Sequence, residues 1–426
     1  MDIFAYAIKQ TLADMRNIAH IFGYVWFFVL PPMLFYLFKD LWMYYVNNKY
    51  WGTMDWLLLE IIPPKNIERS PKPMEALFVG MAGVEKGFNV LEKYVQGAYA
   101  DSFSLEIVSD GGEMHFYIRT RKNFRHLVEA HLYAQYPDIV INAVPDYVDE
   151  VPKIVPNAKW NLWGSDLEFV KHNAFPLRTY QHFEESVTGK MIDPLAGLAE
   201  TMSKLIPGQK IWLQFVISPY SPSWTKDNLR AQIEKMKGNE PKVTLSLIDR
   251  LWTDILDIFS NLYKALSEPV QFADPAKKDQ QPLEFRLSPK EREILKEVEE
   301  KAGKLMFRTK IRLIYLGKRD GYDKSLGVSA IMGAMKQFND DNLNGLKPND
   351  ESKTYANFVY TKPRERYRQR KLLRRYRSRN SDGALVALNT EELATLFHLP
   401  DMQVVAPSLA RTEAKRGGAP VNLPVD

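Results

Sequence analysis

Ile21–Phe38 (IFGYVWFFVLPPMLFYLF) runs for 18 residues without a charge, and this stretch limits what the chain can fold into. Its length is near the minimum for a helix that spans a bilayer. Apolar character resumes after Lys39 and Asp40 through Leu41–Val46, which predicts a tilted span with a snorkelling Lys39. Pro31–Pro32 predicts a kink, which membrane helices tolerate. Trp26, Trp42, Trp51 and Trp56 cluster around the run, as interfacial aromatics do. A cleaved signal peptide and a buried or interfacial hairpin are the competing readings. The long aromatic run and the lack of a small-residue cleavage site argue against the signal peptide. Phe4, Ile8, Leu12 and Met15 recur at helical spacing and predict an interfacial helix before the span. Lys9 and Arg16 balance Lys39 and Lys49 across it, and Lys65, Arg69 and Lys72 tip the C-terminal part toward the cytoplasm. The expected localisation is the cell membrane, single-pass, with a cytoplasmic soluble part.

Behind this run the chain changes character. Its 426 residues are 45% hydrophobic, enough for a packed core and two or three domains. Cysteine is absent, which excludes a disulfide framework and thiolate metal sites. Residues 1–48 form the interfacial helix and anchor, and 49–100 a membrane-proximal helical neck broken at Pro63–Pro64. Residues 101–150 give a β-β-α-β signal. Phe103–Ser109 and Met114–Arg119 alternate around Asp110-Gly111-Gly112, Asn123–Tyr136 is helical, and Ile139–Val144 is a short apolar strand. Residues 151–361 predict strands near 167–172, 177–183, 209–218, 307–316 and 354–360, with helices at 195–205 and 324–338. That order is ferredoxin-like, interrupted by a charged insertion at 219–305. Within the insertion Pro269–Pro282 reads as a loop, and Ser288, Pro289 and Glu291 open a capped helix. Residues 362–400 hold a basic helical segment and a capped helix, and 401–426 a polar tail. The expected fold class is α+β: an N-terminal transmembrane helix, then ferredoxin-like (split β-α-β) subdomains with a long charged insertion.

One segment stands out chemically. Lys362, Arg364, Arg366, Arg368, Arg370, Lys371, Arg374, Arg375, Arg377 and Arg379 are opposed only by Glu365, in a chain whose net charge is +5. Tyr367 and Tyr376 are interleaved. Such density attracts phosphates, on a nucleic acid through counterion release or on anionic lipid headgroups. A solvated helix facing an acidic partner, or the chain's own acidic surface, is the competing reading. Other constellations point to no chemistry. His126 and His131 face different ways on one helix, and His172 and His182 lack neighbouring ligands. Glu184–Glu185 and Glu297–Glu300 read as solvated faces, and Ser218, Ser221 and Ser223 lack a nucleophile elbow. No cofactor and no catalytic residue is expected.

Near the end, Asn389 and Glu392 stand at capping-box spacing, Leu393, Leu396 and Phe397 share one face, and Pro400 stops the helix. This run, together with Asp193-Pro194-Leu195, Pro207-Gly208-Gln209-Lys210-Ile211-Trp212, Ser288-Pro289-Lys290-Glu291 and Asn342–Pro348, resembles the non-motor region of conjugation-type (type IV secretion) ATPases of small-genome bacteria and archaea. The resemblance implies a membrane-anchored component of a DNA or protein transfer system. A P-loop needs two glycines around four residues, then Lys and Ser or Thr. Gly189-Lys190, Gly303-Lys304 and Gly317-Lys318 have Glu184, Val298 and Arg312 at the first glycine position and Met191, Leu305 and Arg319 after the lysine. The expectation is a non-catalytic protein that docks a separately encoded P-loop ATPase and contacts DNA. Leu393, Leu396, Phe397, Val421 and Leu423 are the candidate docking residues, and a homo-oligomer is a further partner expectation. The alternative is a membrane-tethered structural or signalling protein that binds peptide or anionic lipid.

Overall fold

The computed structural model describes the backbone of residues 2–64, 70–183, 192–237 and 287–401; the side chains of 2–22, 24, 25, 28, 29, 222–227 and 326 fall outside the description. In chain order the elements begin α1 (Asp2–Gly52), β1 (Trp56–Ile62), α2 (Lys72–Ala82), α3 (Val90–Tyr94), β2 (Phe103–Asp110), β3 (Glu113–Arg121), α4 (Arg125–Gln135) and β4 (Val140–Val144). There follow β5 (Trp160–Phe169), α5 (Ala196–Ser203), β6 (Gln209–Pro219), α6 (Pro222–Met236), α7 (Pro289–Gly303) and β7 (Met306–Lys318). The last are α8 (Ile331–Met335), β8 (Leu346–Pro348), α9 (Thr361–Arg377), β9 (Val386–Asn389) and α10 (Thr390–Leu396). Two compact units result, Met1–Asp55 with Lys86–Ala100 and Trp56–Glu85 with Asp101–Asp426.

The first unit is α1 with the segment around α3. Asn89 and Glu92 close a reciprocal capping box at the start of α3 (2.8 and 3.0 Å), and the Trp42 indole donates to the Tyr94 carbonyl at 2.6 Å. Gly97 sits at φ +71 against the Val46 carbonyl, where a Cβ would come within 2.3 Å. Glycine meets both demands there, left-handed backbone and close approach. Helix α1 runs on through Pro31–Pro32.

The expected membrane span does not stand. Among the described residues no helix is long and apolar enough to cross a membrane. The described part of α1 gives the physical reason. After Pro31–Pro32 it carries Tyr36, Lys39, Asp40, Tyr44, Tyr45, Asn47, Asn48 and Lys49, which leaves no apolar stretch of the roughly 20 residues a span requires. The single-pass localisation falls with it. The side chains of the interfacial helix read over 1–16, and part of the 21–38 run, lie outside the described residues.

The second unit is α+β, but the two ferredoxin-like subdomains are replaced by one antiparallel nine-stranded sheet, ordered β4-β1-β3-β2-β6-β7-β5-β8 with β9 also on β7. Strand β2 joins the expected halves by pairing along its length with β6, from Phe103↔Ile217 to Asp110↔Lys210. Local periodicity identifies each hairpin and leaves its free edges unassigned; pairing those edges satisfies the backbone groups that two small sheets would expose. The thirteen-residue β7 carries β6 on one edge, and on the other carries β5 and then β9 end to end. Trp56–Ile62, read as neck, is a strand between β3 and β4, because a short apolar run has no decisive period. The strand expected at 167–172 is the end of the longer β5. Leu177–Phe183 is a loop ending in a 3-10 turn, and Thr354–Tyr360 is a loop whose Thr354 bonds to Gly164 of β5.

Alternation along the strands gives the sheet two buried faces. One holds Leu105, Ile107, Phe116, Ile118, Leu213, Phe215 and Leu313 under α2, α4, α5, α8 and α10. The other holds Val108, Trp212, Ile314 and Leu316 under Tyr147 and the apolar side of α9. Helices α6 and α7 pack together through Leu229, Ile233, Leu295 and Val298, so the described ends of the expected insertion are a helical pair. Its middle, residues 238–286 with Pro269–Pro282, lies outside the described residues.

Candidate functional site

Helix α9 is where the basic run folds. Thr361–Arg377 is helical, and Leu372, Leu373 and Tyr376 pack onto the sheet with Tyr376 stacked on Trp212. Its cations then divide by task. Lys362, Arg366, Arg370, Lys371 and Arg374 are exposed, and none makes an ion pair with another described residue. Arg364 is also exposed and donates to the Asn357 carbonyl at 3.0 Å. Arg368 donates to the carbonyls of Lys353 (3.1 Å) and Tyr355 (2.7 Å), fastening the preceding loop. Half-buried Arg375 accepts from Arg312 through its carbonyl. Arg377 pairs with Asp149 at 2.5 Å and donates to the carbonyls of Val148 and Val151. Arg379 is buried outright.

Beneath α9 lies a row of polar side chains contributed by four neighbouring strands. Glu106 on β2 stands opposite Gln214 on β6, Gln214 opposite Arg312 on β7, and Arg312 opposite Asp166 on β5. All four are buried. Arg379 grips Glu106 through Nε (3.0 Å) and Nη2 (3.1 Å), and Asp146 through Nη1 (2.6 Å) and Nη2 (2.8 Å). Ser104 Oγ (2.6 Å), Tyr147 OH (2.8 Å) and Gln214 Nε2 (2.9 Å) also donate to the Glu106 carboxylate. At the other end Arg312 Nε (3.0 Å) and Lys310 Nζ (2.5 Å) flank Asp166.

The electrostatics follow from this arrangement. Burial opposes the Glu106 charge most strongly, yet Arg379, Ser104 and Tyr147 together hold its carboxyl below the ordinary carboxylate value. Burial likewise opposes the Arg379 charge, and Glu106, Tyr147 and Asp146 outweigh it, so the guanidinium stays charged. For Arg312 burial prevails and lowers the group although Asp166 opposes. The network is closed and almost fully partnered. Its consequence is mechanical: Arg379 ties the end of α9 to the sheet and Arg377 ties it to the connection between β4 and β5, while Lys362, Arg366, Arg370, Lys371 and Arg374 stay in solvent on a fixed base. The signal for the row is present in FSLEIVS, with Glu106, and in KIRLIYL, with Lys310 and Arg312, where charged residues interrupt apolar strands.

Of the residues that carry the resemblance, Leu195, Leu393, Leu396 and Phe397 lie on the opposite face, and their neighbours act structurally. Asn389 and Glu392 do form the expected capping box (2.8 Å each way), and Glu392 Oε1 further accepts from the Lys301 ammonium at 3.0 Å, both side chains fully buried. Asp193 accepts from the Leu195 and Asp401 amides and lies 3.0 Å from His398. Burial opposes the Asp193 charge, but His398 and those amides hold its carboxyl below the ordinary value. Gln337 donates to the Pro194 carbonyl at 2.6 Å, and Ser288 with Glu291 forms the second expected capping box. The docking expectation needs correcting here. Leu393, Leu396 and Phe397 are core residues, no more than 1% exposed, because α10 sits against the sheet with every residue buried. Val421 and Leu423 lie outside the described residues.

Other candidate groups stay apart. His126 is exposed on α4, His131 abuts Gly80 of α2, and His182 lies 3.8 Å from Glu297. Among the described residues no group of three or more His, Asp or Glu side chains could hold a metal ion.

A single antiparallel sheet with a basic helix fixed across one face therefore defines an α+β protein with an outward-facing cationic ridge. The chain belongs to a family described as a domain of unknown function (DUF8128), whose profile matches residues 52–412 and so covers the whole sheet. No curated protein matches it.

Proposed function

We propose that this protein is a non-catalytic binding component that contacts nucleic acid through the exposed side of α9. The observation that carries this reading is the division of labour within the basic run. Local carboxylates and carbonyls engage Arg368, Arg377 and Arg379, whereas Lys362, Arg366, Arg370, Lys371 and Arg374 stay in solvent without an ion pair among the described residues. Lys362, Arg366, Arg370 and Arg374 recur every four residues, about 6 Å of helix rise per step, so they offer a regular line of charge to a phosphate backbone. Because Leu372, Leu373 and Tyr376 already fix the helix, binding orders little that was free beforehand. A place for the protein beside a separately encoded P-loop ATPase, in a conjugation-like transfer system, rests on the resemblance of its separated motifs alone. The test is fluorescence anisotropy with a labelled oligonucleotide, comparing the natural chain with Arg366→Gln/Arg370→Gln/Lys371→Gln/Arg374→Gln. These side chains lie in solvent, so the variant keeps its melting temperature and loses roughly tenfold or more in affinity. Equal affinity, or no binding by either protein at low salt, overturns the reading.

A further inference from the structure

The loop that leads into α9 has an unusual surface. Phe358 is 88% exposed, Tyr360 77% and Tyr367, in the second turn of the helix, 65%; Tyr355 and Val359 are exposed beside them. Phe358 and Tyr360 also adopt positive φ, +68 and +55. Bulky side chains avoid that region, and Phe358 gains no burial in exchange.

The loop is nevertheless tied down. Thr354 N–H bonds to Gly164 O (3.0 Å) and Ala356 is buried. Arg364 and Arg368 bond to the carbonyls of Asn357 and Tyr355, and Arg364 N–H bonds to Tyr360 O at 3.1 Å. The rings therefore stand in water because the backbone holds them there. Lys324 lies 5.5 Å from the Tyr355 ring and Lys371 5.8 Å from the Tyr367 ring, so cations alternate with these rings at the surface.

We infer that this loop is a stacking platform for unpaired nucleobases, and that the preferred ligand of α9 is a single strand, DNA or RNA. The inference rests on the phosphate-binding reading of α9 and narrows it. A duplex keeps its base faces inside the helix and can use only the cations. A single strand presents both parts: phosphates to the row from Lys362 to Arg374, and base faces to Phe358, Tyr360 and Tyr367. An acidic protein partner would use the same cations but gives no role to rings held outward at positive φ.

The experiment measures the anisotropy of labelled 20-mers, as single-stranded DNA, RNA of the same sequence and the corresponding DNA duplex, bound to the full chain. The natural protein binds single strands at least tenfold more tightly than duplex. Phe358→Ala/Tyr360→Ala loses ten- to a hundredfold toward single strands and nothing toward duplex, since each stacked base contributes a comparable factor. Phe358→Leu/Tyr360→Leu, which keeps apolar bulk without an aromatic face, behaves like the alanine pair. Preference for DNA or for RNA names the source of the strand. If both loop variants bind single strands as the natural protein does while the arginine variant weakens, the platform is refuted and the phosphate reading stands. If the arginine variant binds unchanged, or nothing binds, both fall.

Discussion

Arg379→Met is the substitution that bears most directly on how α9 is held. Methionine keeps much of the length of the side chain and removes the cation that grips Glu106 at 3.0 and 3.1 Å and Asp146 at 2.6 and 2.8 Å. The two carboxylates then differ. Asp146 is 28% exposed and rehydrates, whereas Glu106 has no exposure and keeps only Ser104, Tyr147 and Gln214 as donors. Leaving a buried charge without its counter-ion costs about 3–5 kcal/mol, and nearly all of that falls on Glu106. The pH dependence has a definite sign. In the natural protein the folded Glu106 value is depressed, so its contribution is present above the unfolded value of about 4.3 and is lost as pH falls through the folded value. Without Arg379, burial is left dominant and raises the group, so the variant recovers stability by taking up a proton as pH falls. The destabilisation should therefore be smaller at pH 5 than at pH 7. Urea denaturation at both values, followed by far-ultraviolet circular dichroism, measures it. Glu106→Gln/Arg379→Met should be more stable than Arg379→Met alone, because the unpaired charge is gone. A loss below about 1 kcal/mol, an equal loss at both pH values, or a double variant no better than the single one would refute the account of this network.

Three further outcomes follow from the packing. Leu393→Ala should lower stability by about 2–5 kcal/mol in a denaturant melt, since this residue lies in the core; a stable variant would return α10 to the role of an exposed docking element. Gly327→Ala places a Cβ 2.3 Å from the Tyr315 ring and should cost about 1–3 kcal/mol through displacement of β7, read as a lower melting temperature. Asp193→Asn should flatten the acid limb of the stability curve. The folded Asp193 value is depressed, so its contribution is full above the unfolded carboxylate value of about 3.9 and disappears as pH falls through the folded one. An acid limb unchanged by the substitution would count against the Asp193–His398 interaction.

Much of the second unit is legible in the sequence where one segment decides its own structure. The Asp110-Gly111-Gly112 turn, the β2–β3 hairpin, α4, β6, β7 and the capping boxes at Ser288 and Asn389 all rest on residues within a turn or two of each other. Partners across the sheet are not legible. Nothing in Phe103–Asp110 says that its free edge meets Gln209–Pro219, so local patterning suggests two subdomains where one sheet exists. Trp56–Ile62 resembles a membrane-proximal segment because its apolar run is too short to show a period. The amphipathic pattern of Leu393, Leu396 and Phe397 marks burial without naming the partner, and the partner is the chain's own sheet. Charge density locates the basic helix, but Arg379 looks like its neighbours until Glu106, 273 residues away, is placed against it.

The salt dependence of oligonucleotide binding tests the central claim, that the outward face of α9 takes up phosphates. The slope of log affinity against log salt steepens by about 0.7–0.9 for each phosphate that a cation neutralises. Replacing Arg366, Arg370, Lys371 and Arg374 by glutamine should therefore make the slope shallower by about 3, with the fold intact. A slope unchanged in that variant would contradict the claim.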